Sequence, residues 1–180
     1  RDDALIIGAG TGMSMLSLYN ANPHMKHAVG VEIDPVVARE TTGRLSKFNK
    51  GIYSRPGMEI AVADARRFMD SDTRQYDLIF IDGIDNYLNL YLGSVIAAEN
   101  YMYTEEGYSR IFNDRLKKDG VLIMNHGGTI APAAFPFLLG LPKDVYYRLY
   151  WYVIVDPPFH GAPLFFMIAS KDKNVLENPT

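Results

Sequence analysis

The chain has 180 residues, of which 48% are hydrophobic, so it has the size and the apolar content of one domain with one continuous core. Its formal net charge of −3 excludes a positive field of the whole chain that would gather nucleic acid or anionic lipid. The absence of cysteine excludes disulfides, thiolate metal sites and cysteine nucleophiles, and it fits a reducing compartment such as the cytoplasm.

The first predicted element is a buried strand followed by a glycine turn and a helix. Arg1 and Asp2 lead, without an initiator Met or a signal peptide, into the apolar run Ala4–Ile7, which ends in glycine. The segment Thr11–Ala21 then has a helical pattern that Asn-Pro stops. Because the strand begins so abruptly, we expect residues 1–180 to be a single domain that lacks an N-terminal segment.

Three further strands follow, each with an acidic residue at or just after its end. They are predicted at His27–Ile33, Met58–Val62 and Tyr76–Ile81. Between them, helices are predicted from Pro35 to about Lys50 and at Ala65–Met69, with the proline in a favourable first-turn position. The alternation of strands and helices indicates a parallel sheet with helices on both faces.

The second half of the chain completes the predicted sheet. Leu88–Tyr103 is ambiguous, and Thr104 is a candidate cap for a helix that reaches Lys117 or Lys118. The remaining strands are predicted at Gly120–Met124, Val145–Val155 and Pro163–Ser170. We therefore predict a doubly wound α/β fold with a mostly parallel seven-stranded sheet and an antiparallel hairpin at the C-terminal end.

The longest nearly apolar run, Ile130–Leu141, does not have the character of a membrane span. It contains two prolines and a glycine and has 12 residues, whereas a spanning helix needs about 20. We expect no membrane contact by this chain.

The glycine turn is the first candidate binding element. Gly8, Gly10 and Gly12 follow the first strand, and glycine there lets the main chain pass close to a ligand. In a doubly wound sheet, ligands bind beyond the carboxyl ends of the strands, where the strand order reverses. A tight turn without a ligand is the alternative interpretation.

Acidic residues at the next strand ends suit a nucleoside. Glu32 lies 20 residues beyond Gly12, the position from which a carboxylate accepts both hydrogen bonds of a ribose diol. Asp64 follows the third strand, and we expect its carboxylate to accept from an adenine amine while an adjacent backbone N–H reaches a ring nitrogen. Helix capping is the alternative for Asp64, and it is the better interpretation for Asp34, which precedes Pro35.

The spacing of the glycines separates two classes of cofactor. A nicotinamide dinucleotide site requires a third glycine at the sixth place of GxGxxG, and that place is Met13 here. The GxGxG spacing together with Asp64 favours S-adenosylmethionine or a relative of it.

Four segments of the sequence resemble the catalytic domain of spermidine synthases, the polyamine aminopropyltransferases. Proteins of this family have the class I S-adenosylmethionine-dependent methyltransferase fold. The four segments are Ala4–Gly12, Val31–Asp34, Ala63–Ala65 and Ile81–Asp85. More narrowly, the segment Ala98–Glu105 is similar to spermidine synthase-like domains fused to membrane proteins. This narrower likeness implies that the parent protein has membrane segments and that the chain is its cytoplasmic domain.

The resemblance implies a function in polyamine biosynthesis: transfer of an aminopropyl group from decarboxylated S-adenosylmethionine to a small amine. It implies that Asp82 contacts the cofactor and acts as the general base, with Asp85 as the second acid. It also implies cofactor binding by the set Gly8, Ala9, Gly10, Thr11, Gly12, Glu32, Ile33, Asp64 and Ala65. Candidates to line the amine pocket are Tyr87, Tyr91, Tyr101 and Tyr103; ordinary partly buried residues are the alternative interpretation in a chain with 12 tyrosines. A simple turn with Gly83 is the alternative for the two aspartates.

Two departures from the family pattern keep other functions open. The family has an Asp in the glycine turn that holds the amine of the decarboxylated cofactor, and Thr11 stands there instead. The chain also lacks the family's N-terminal β-rich segment, which supplies residues to the polyamine pocket. Methyl transfer from intact S-adenosylmethionine to a small molecule, and a non-catalytic nucleoside-binding module, are therefore the alternative functions.

No metal site is predicted. The histidines at 24, 27, 126 and 160 have no metal-ligand spacing, and we expect them on the surface or in loops. The His126-Gly-Gly sequence is not accompanied by a G-x-S-x-G nucleophile motif, which excludes a hydrolase of that type. Members of the family often pair, which leaves a homodimer open as the assembly, and no residue pattern in the sequence indicates an interface.

Overall fold

The computed structural model describes residues 2–82, 102, 104–127, 140–153 and 163–177. The strands within these ranges are β1 (Asp3–Ile7), β2 (His27–Glu32), β3 (Met58–Val62), β4 (Tyr76–Ile81), β5 (Leu116–Gly127), β6 (Tyr146–Val153) and β7 (Pro163–Ser170). The helices are α1 (Met13–Ala21), α2 (Pro35–Thr42), α3 (Ala65–Ser71), α4 (Glu105–Arg110) and α5 (Lys173–Glu177). Short 3-10 turns lie at Arg44–Lys47 and Ile52–Ser54, and one π-helical turn lies at Ile111–Arg115.

All seven strands form one sheet with the order β3-β2-β1-β4-β5-β7-β6. The first five strands in this order are parallel, and β7 is antiparallel to both β5 and β6. The predicted seven-stranded, mostly parallel sheet with an antiparallel C-terminal pair is confirmed. The strand order reverses beside β1, so the switch point where such sheets bind ligands lies between β1 and β4.

Both faces of the sheet are apolar, as expected when helices cover both sides. Leu5 and Ile6 of the central strand β1 are fully buried but belong to opposite cores, because successive side chains of a strand point to opposite faces. Met15 of α1 packs in the core that holds Ile6, and Met69 of α3 packs in the core that holds Leu5. The two helices therefore lie on opposite faces of the sheet.

The prediction of one helix from Pro35 to about Lys50 is wrong at its C-terminal end. The helix ends at Thr42, where the N–H of Gly43 donates to the carbonyl of Arg39 at 2.9 Å. The chain then continues in short 3-10 turns. These turns bring buried side chains back toward the glycine turn, as described below.

The helix predicted to begin after Thr104 also ends earlier than expected. Its cap is confirmed, since the Thr104 hydroxyl accepts a hydrogen bond from the N–H of Gly107 at 3.1 Å. Its predicted end at Lys117 or Lys118 is wrong, because Leu116 begins β5 and pairs with Tyr76 of β4. Leu116 is 4% exposed, so burial of this side chain in the sheet outweighs the local helical pattern.

No helix in the described ranges is both long enough and apolar enough to cross a bilayer.

Candidate active site

Polar or glycine residues follow one another along the carboxyl edge of the sheet. In spatial order from β3 to β5 they are Asp64, Glu32, Gly8, Asp82 and Asn125. The strand register sets this order: Ile7 of β1 pairs with Val31 and Ile81, and Ile81 of β4 pairs with Met124. The sheet therefore brings together residues that are as far as 117 positions apart in the chain, Gly8 and Asn125.

The glycine turn is bound to the neighbouring strand. Gly8, Gly10 and Gly12 all have positive φ, at 84°, 48° and 79°, a conformation that favours glycine. The N–H groups of Gly8 and Ala9 both donate to the carbonyl of Val31 at 3.0 Å. These bonds hold the turn against the end of β2.

The space around Gly10 differs from the space around Gly12. Among the described residues, a Cβ added at Gly10 would meet only the carbonyl oxygen of Gly8, at 3.9 Å, so they leave this side of the turn open. A Cβ at Gly12 would lie 2.8 Å from Cε2 of Tyr53 and 3.1 Å from Nδ2 of Asn49. Glycine at position 12 therefore makes room for the protein's own side chains, whereas Gly10 leaves the space that a ligand would fill.

Two buried polar side chains support the turn from behind. The hydroxyl of Thr41 donates to the carbonyl of Gly10 at 2.5 Å, and Nδ2 of Asn49 donates to the carbonyl of Thr11 at 3.0 Å. Thr41 is fully buried and Asn49 is 1% exposed. Sequence reasoning missed both residues, although the Asn-Lys-Gly sequence at 49–51 is a turn signal inside the predicted helix.

Tyr53 lies beneath the glycine turn. A Cβ at Gly30 would come within 2.5 Å of its hydroxyl oxygen and 2.9 Å of the Ala9 side chain, so the phenol occupies space that only glycine at 30 leaves free. The hydroxyl is buried without a hydrogen-bond partner in the part of the chain that the structure describes. Burial, together with the nearby Glu32 carboxylate, raises the pKa of Tyr53 well above its usual value.

Glu32 is 8% exposed and clamps two backbone segments. Its Oε2 accepts from the N–H of Gly10 at 2.8 Å, and its Oε1 accepts from the N–H of Asp34 at 3.0 Å. A carboxylate can accept about four hydrogen bonds, so lone pairs remain on both oxygens. The same group can therefore fix the glycine turn and accept bonds from a diol.

Asp34 and Asp64 both cap helices. The Asp34 carboxylate accepts from the N–H of Val36 at 2.7 Å, and the Asp64 carboxylate accepts from the N–H of Arg67 at 3.0 Å. Capping by Asp34 is thus confirmed. Asp64 is also exposed, so its carboxylate remains accessible, and Ala65 directly after it packs against the core. An interaction of Asp64 with adenine stays a prediction.

Two exposed apolar side chains flank Glu32 at this edge. Ile33 follows Glu32 and is 65% exposed, and Val62, which pairs with Glu32 across the sheet, is 55% exposed. Together they offer an apolar surface beside a carboxylate. A nucleoside has the matching combination of a flat base and a ribose diol.

Asp82 lies on the other side of the glycine turn and is held by three elements. Its N–H donates to the carbonyl of Ile7 at 2.8 Å. The hydroxyl of Ser14, in the first turn of α1, donates to Oδ2, and Nδ2 of Asn125 donates to Oδ1 at 3.1 Å. The half-buried carboxylate is thus fixed next to the turn. Neither Ser14 nor Asn125 was identified by sequence reasoning.

Some predicted site residues lie outside the described ranges. They are Asp85, Tyr87, Tyr91, Tyr101, Tyr103 and His160. Thr11 is described and is exposed on the glycine turn. Within the described part of the chain, no three His, Asp or Glu side chains are grouped closely enough to hold a metal ion.

Comparison with known proteins finds similarity over nearly the whole chain. The family model described as "Spermine/spermidine synthase domain" matches residues 1–179. A polyamine aminopropyltransferase of Nitrosomonas europaea is 30% identical over 164 residues, which are 90% of this chain and 45% of that protein.

Solved structures share the fold. The spermidine synthase from Thermotoga maritima aligns with a TM-score of 0.74 at 22% identity, over 95% of this chain and 54% of that one. Human methyltransferase-like protein 13 in complex with SAH aligns with a TM-score of 0.67 at 17% identity, over 95% of this chain and 72% of that one. The seven-stranded fold is therefore of the class I methyltransferase kind. The chain spans at most 56% of the length of the first curated relatives it matches.

Proposed function

The chain belongs to the spermine/spermidine synthase domain family, and from that premise we propose that it transfers an aminopropyl group from decarboxylated S-adenosylmethionine to a small amine. The observation that carries the proposal is the position of the Asp82 carboxylate beside the glycine turn, fixed by hydrogen bonds from Ser14 and Asn125. This arrangement supports the proposal, because the nucleoside bound at the glycine turn would have a proton acceptor beside it.

The residues along the carboxyl edge fit the nucleoside part of the cofactor. Glu32 has lone pairs left for the ribose hydroxyls, and the open side of Gly10 leaves room for the ligand against the main chain. Ile33 offers an apolar surface for the base, and the exposed Asp64 carboxylate can accept from its exocyclic amine. We propose these four residues as the cofactor site.

The chemistry requires a base at the position of Asp82. Decarboxylated S-adenosylmethionine, when bound, would supply a carbon bonded to a sulfonium; as the amine nitrogen bonds to this carbon, the carbon–sulfur electron pair would stay on sulfur and methylthioadenosine would leave as a neutral thioether. The amine attacks only in its neutral form, so Asp82 attracts the alkylammonium and accepts its proton.

Methyl transfer from intact S-adenosylmethionine is the second candidate function. The observation that favours it is the neutral, exposed side chain of Thr11 on the glycine turn. A hydroxyl cannot form an ion pair with the ammonium of the decarboxylated cofactor, but it tolerates the carboxylate of the intact one. The choice between the two cofactors is therefore a direct test of the reaction.

Isothermal titration calorimetry tests the cofactor first. The purified chain is titrated with decarboxylated S-adenosylmethionine, S-adenosylmethionine, methylthioadenosine and NAD. We expect the decarboxylated form to bind most tightly. We also expect Glu32→Ala to weaken its binding by roughly 10-fold or more, because hydrogen bonds to a charged group are lost.

The matched control is Glu59→Ala, which removes an exposed carboxylate from the neighbouring strand β3. Its side chain is 61% exposed, and within the described ranges it forms an ion pair with Arg74 alone. The affinity for the cofactor should therefore not change. Preference for intact S-adenosylmethionine would replace aminopropyl transfer by methyl transfer. Failure of all nucleosides to bind would reject the proposed function for this chain.

The role of Asp82 is tested by Asp82→Asn, which keeps the shape of the side chain and removes its basicity. With decarboxylated S-adenosylmethionine and a diamine as substrates, we expect kcat to fall by roughly 100-fold or more, within the range for general bases. The cofactor dissociation constant should stay within a factor of about two. A variant with unchanged turnover would exclude Asp82 as the base.

A further inference from the structure

We propose that Asn125 is a positioning residue for the Asp82 base, a role that rests on the proposed function. Asn125 lies on β5, directly after Met124, and Met124 pairs with Ile81 immediately before Asp82. Its Nδ2 donates to Oδ1 of Asp82 at 3.1 Å. The amide is therefore the contact of β5 with the proposed catalytic carboxylate.

The other end of the amide makes no second hydrogen bond to the residues that the structure describes. Oδ1 of Asn125 is buried and has no hydrogen-bond partner within the described ranges. A buried acceptor without a donor destabilises a fold. The four residues before it, Val121–Met124, are apolar, so an apolar side chain would suit this strand better. Among the described residues, the hydrogen bond that this side chain makes goes to Asp82, and this bond favours a role toward the carboxylate.

The chemistry of the pair fixes which way the amide faces. With Nδ2 toward Asp82, the bond joins a neutral donor to a carboxylate and is charge-assisted. The reverse orientation would place Oδ1 against the carboxylate, with two acceptors in contact. The carboxylate therefore holds the amide in one orientation, and the amide in return holds the plane of the carboxylate.

Ser14 completes the support from the opposite side. Its hydroxyl donates to Oδ2 of Asp82, so each carboxylate oxygen accepts one bond from the protein. One donor comes from α1, which follows the glycine turn, and the other comes from β5. With both oxygens held, the remaining lone pairs face a defined direction, as a base requires to receive a proton in the transition state.

Steady-state kinetics with Asn125→Ala test the positioning role. We expect kcat to fall by roughly 10- to 100-fold, which is the loss of one hydrogen bond to a charged group. The dissociation constant for decarboxylated S-adenosylmethionine and the melting temperature should stay near the wild-type values. A kcat within twofold of wild type would overturn the proposal, and so would a loss of kcat that accompanies an equal loss of cofactor affinity or fold.

Asn113→Ala is the matched control. Asn113 is exposed before the amino end of β5, where its Nδ2 donates to the Ser109 hydroxyl at 3.0 Å, so it carries a similar side-chain bond away from the site. Its removal should leave kcat unchanged. A comparable fall of kcat in both variants would overturn a specific role for Asn125.

A second measurement does not depend on turnover. In 15N-labelled protein, the side-chain amide protons of Asn125 should change their chemical shift and exchange faster with solvent in Asp82→Ala than in the wild type. The Asn113 amide signals should not change. Unchanged Asn125 signals would overturn the positioning role even in an active enzyme. A wild-type chain that binds cofactor and transfers nothing would instead overturn the proposed function.

Discussion

Gly10 and Gly12 have the same left-handed backbone, yet substitution should affect different properties. We expect Gly12→Ala to lower the free energy of unfolding by about 2–4 kcal/mol, because its Cβ overlaps Tyr53 and Asn49 in addition to the backbone strain. Gly10→Ala should cost only about 1–2 kcal/mol, which is the strain alone, but it should weaken cofactor binding. Urea denaturation and calorimetry measure the two effects separately.

Replacement of Tyr53 by Leu provides the control for this comparison. Without the ring edge that lies 2.8 Å from the added Cβ, the destabilisation by Gly12→Ala should shrink. If both alanine variants are destabilised equally, the explanation of Gly12 by internal packing is wrong.

Tyr53→Phe removes a buried hydroxyl that has no partner in the described structure. We expect the free energy of unfolding near pH 7 to stay within about 1 kcal/mol of wild type or to rise, because no hydrogen bond is lost. The raised pKa of Tyr53 predicts a difference at high pH. Above the unperturbed value of 10.0, the unfolded tyrosine ionises while the folded one stays neutral, so stability falls as pH rises.

Urea denaturation between pH 8 and pH 11 measures this difference. The variant should lose less stability than wild type over the upper part of the range. Some loss should remain, because burial also raises the pKa values of Tyr76 and Tyr108. Identical pH dependence in the two proteins would show that the Tyr53 hydroxyl is accessible to solvent.

At the level of elements, an ion cluster joins three strands at the edge opposite to the site. Lys117 of β5 lies 2.6 Å from the carboxylate of Asp3 in β1 and 2.9 Å from that of Asp77 in β4. The N–H groups of Asp2 and Asp3 also donate to Asp77 at 2.9 Å. Burial opposes the charge on Asp77, but these hydrogen bonds outweigh it and lower the pKa of its carboxyl.

Asp77→Asn should therefore be destabilising in a pH-dependent way. The depressed pKa means that the contribution of Asp77 is fully present well above the unperturbed value of 3.8 and is lost as pH falls through the folded value. We expect the variant to be less stable by about 1–2 kcal/mol near pH 7, with the difference shrinking below pH 4. Urea denaturation across this range measures it, and unchanged cofactor affinity at pH 7 is the control.

Elements whose ends are marked by strong local signals could be predicted from the sequence. The strands Met58–Val62, Tyr76–Ile81 and Pro163–Ser170 were predicted residue for residue. The ends of α2 and α4 could not, because they are set by tertiary contacts. Burial of Leu116 in the sheet begins β5, and the chain after Gly43 turns back to support the glycine turn.

In the candidate site, too, positions with a local signal could be predicted and positions set by tertiary contacts could not. Glu32, Asp64 and Asp82 could be predicted because the end of a strand is a local signal and parallel strands align their ends. The residues that hold them could not, since Ser14 contacts Asp82 across 68 positions and Asn49 contacts the glycine turn across 38. The sequence around a single polar residue in a strand or helix does not indicate which distant residue it contacts.

On the scale of the whole molecule, cofactor binding should stabilise the entire sheet. The glycine turn and Asp82 follow the two strands on either side of the switch point, β1 and β4, which lie inside the sheet. At 100 times its dissociation constant, decarboxylated S-adenosylmethionine should add about 2.7 kcal/mol to the free energy of unfolding. We expect a rise in Tm of roughly 5–10 °C by differential scanning calorimetry.

NAD at the same concentration is the control for this shift and should leave Tm almost unchanged. At equal cofactor concentration, the Tm of the Glu32→Ala variant should rise less than that of wild type, because the variant binds the cofactor more weakly. An equal shift with NAD would indicate general affinity for nucleotides in place of a site for a sulfonium nucleoside.

The contact of Tyr53 with Gly30 has a consequence for how this sequence can diverge. A Cβ at Gly30 would lie 2.5 Å from the phenol oxygen of Tyr53 and 2.9 Å from the Cβ of Ala9, so alanine at position 30 requires a smaller side chain at position 53 and a shift of Ala9. Natural variation at the two positions should therefore be correlated, with the glycine retained wherever the tyrosine is retained. A lineage that gains alanine at position 30 while it retains tyrosine at position 53 should pass through a poorly folded intermediate sequence, whereas loss of the tyrosine alone creates no clash with Gly30.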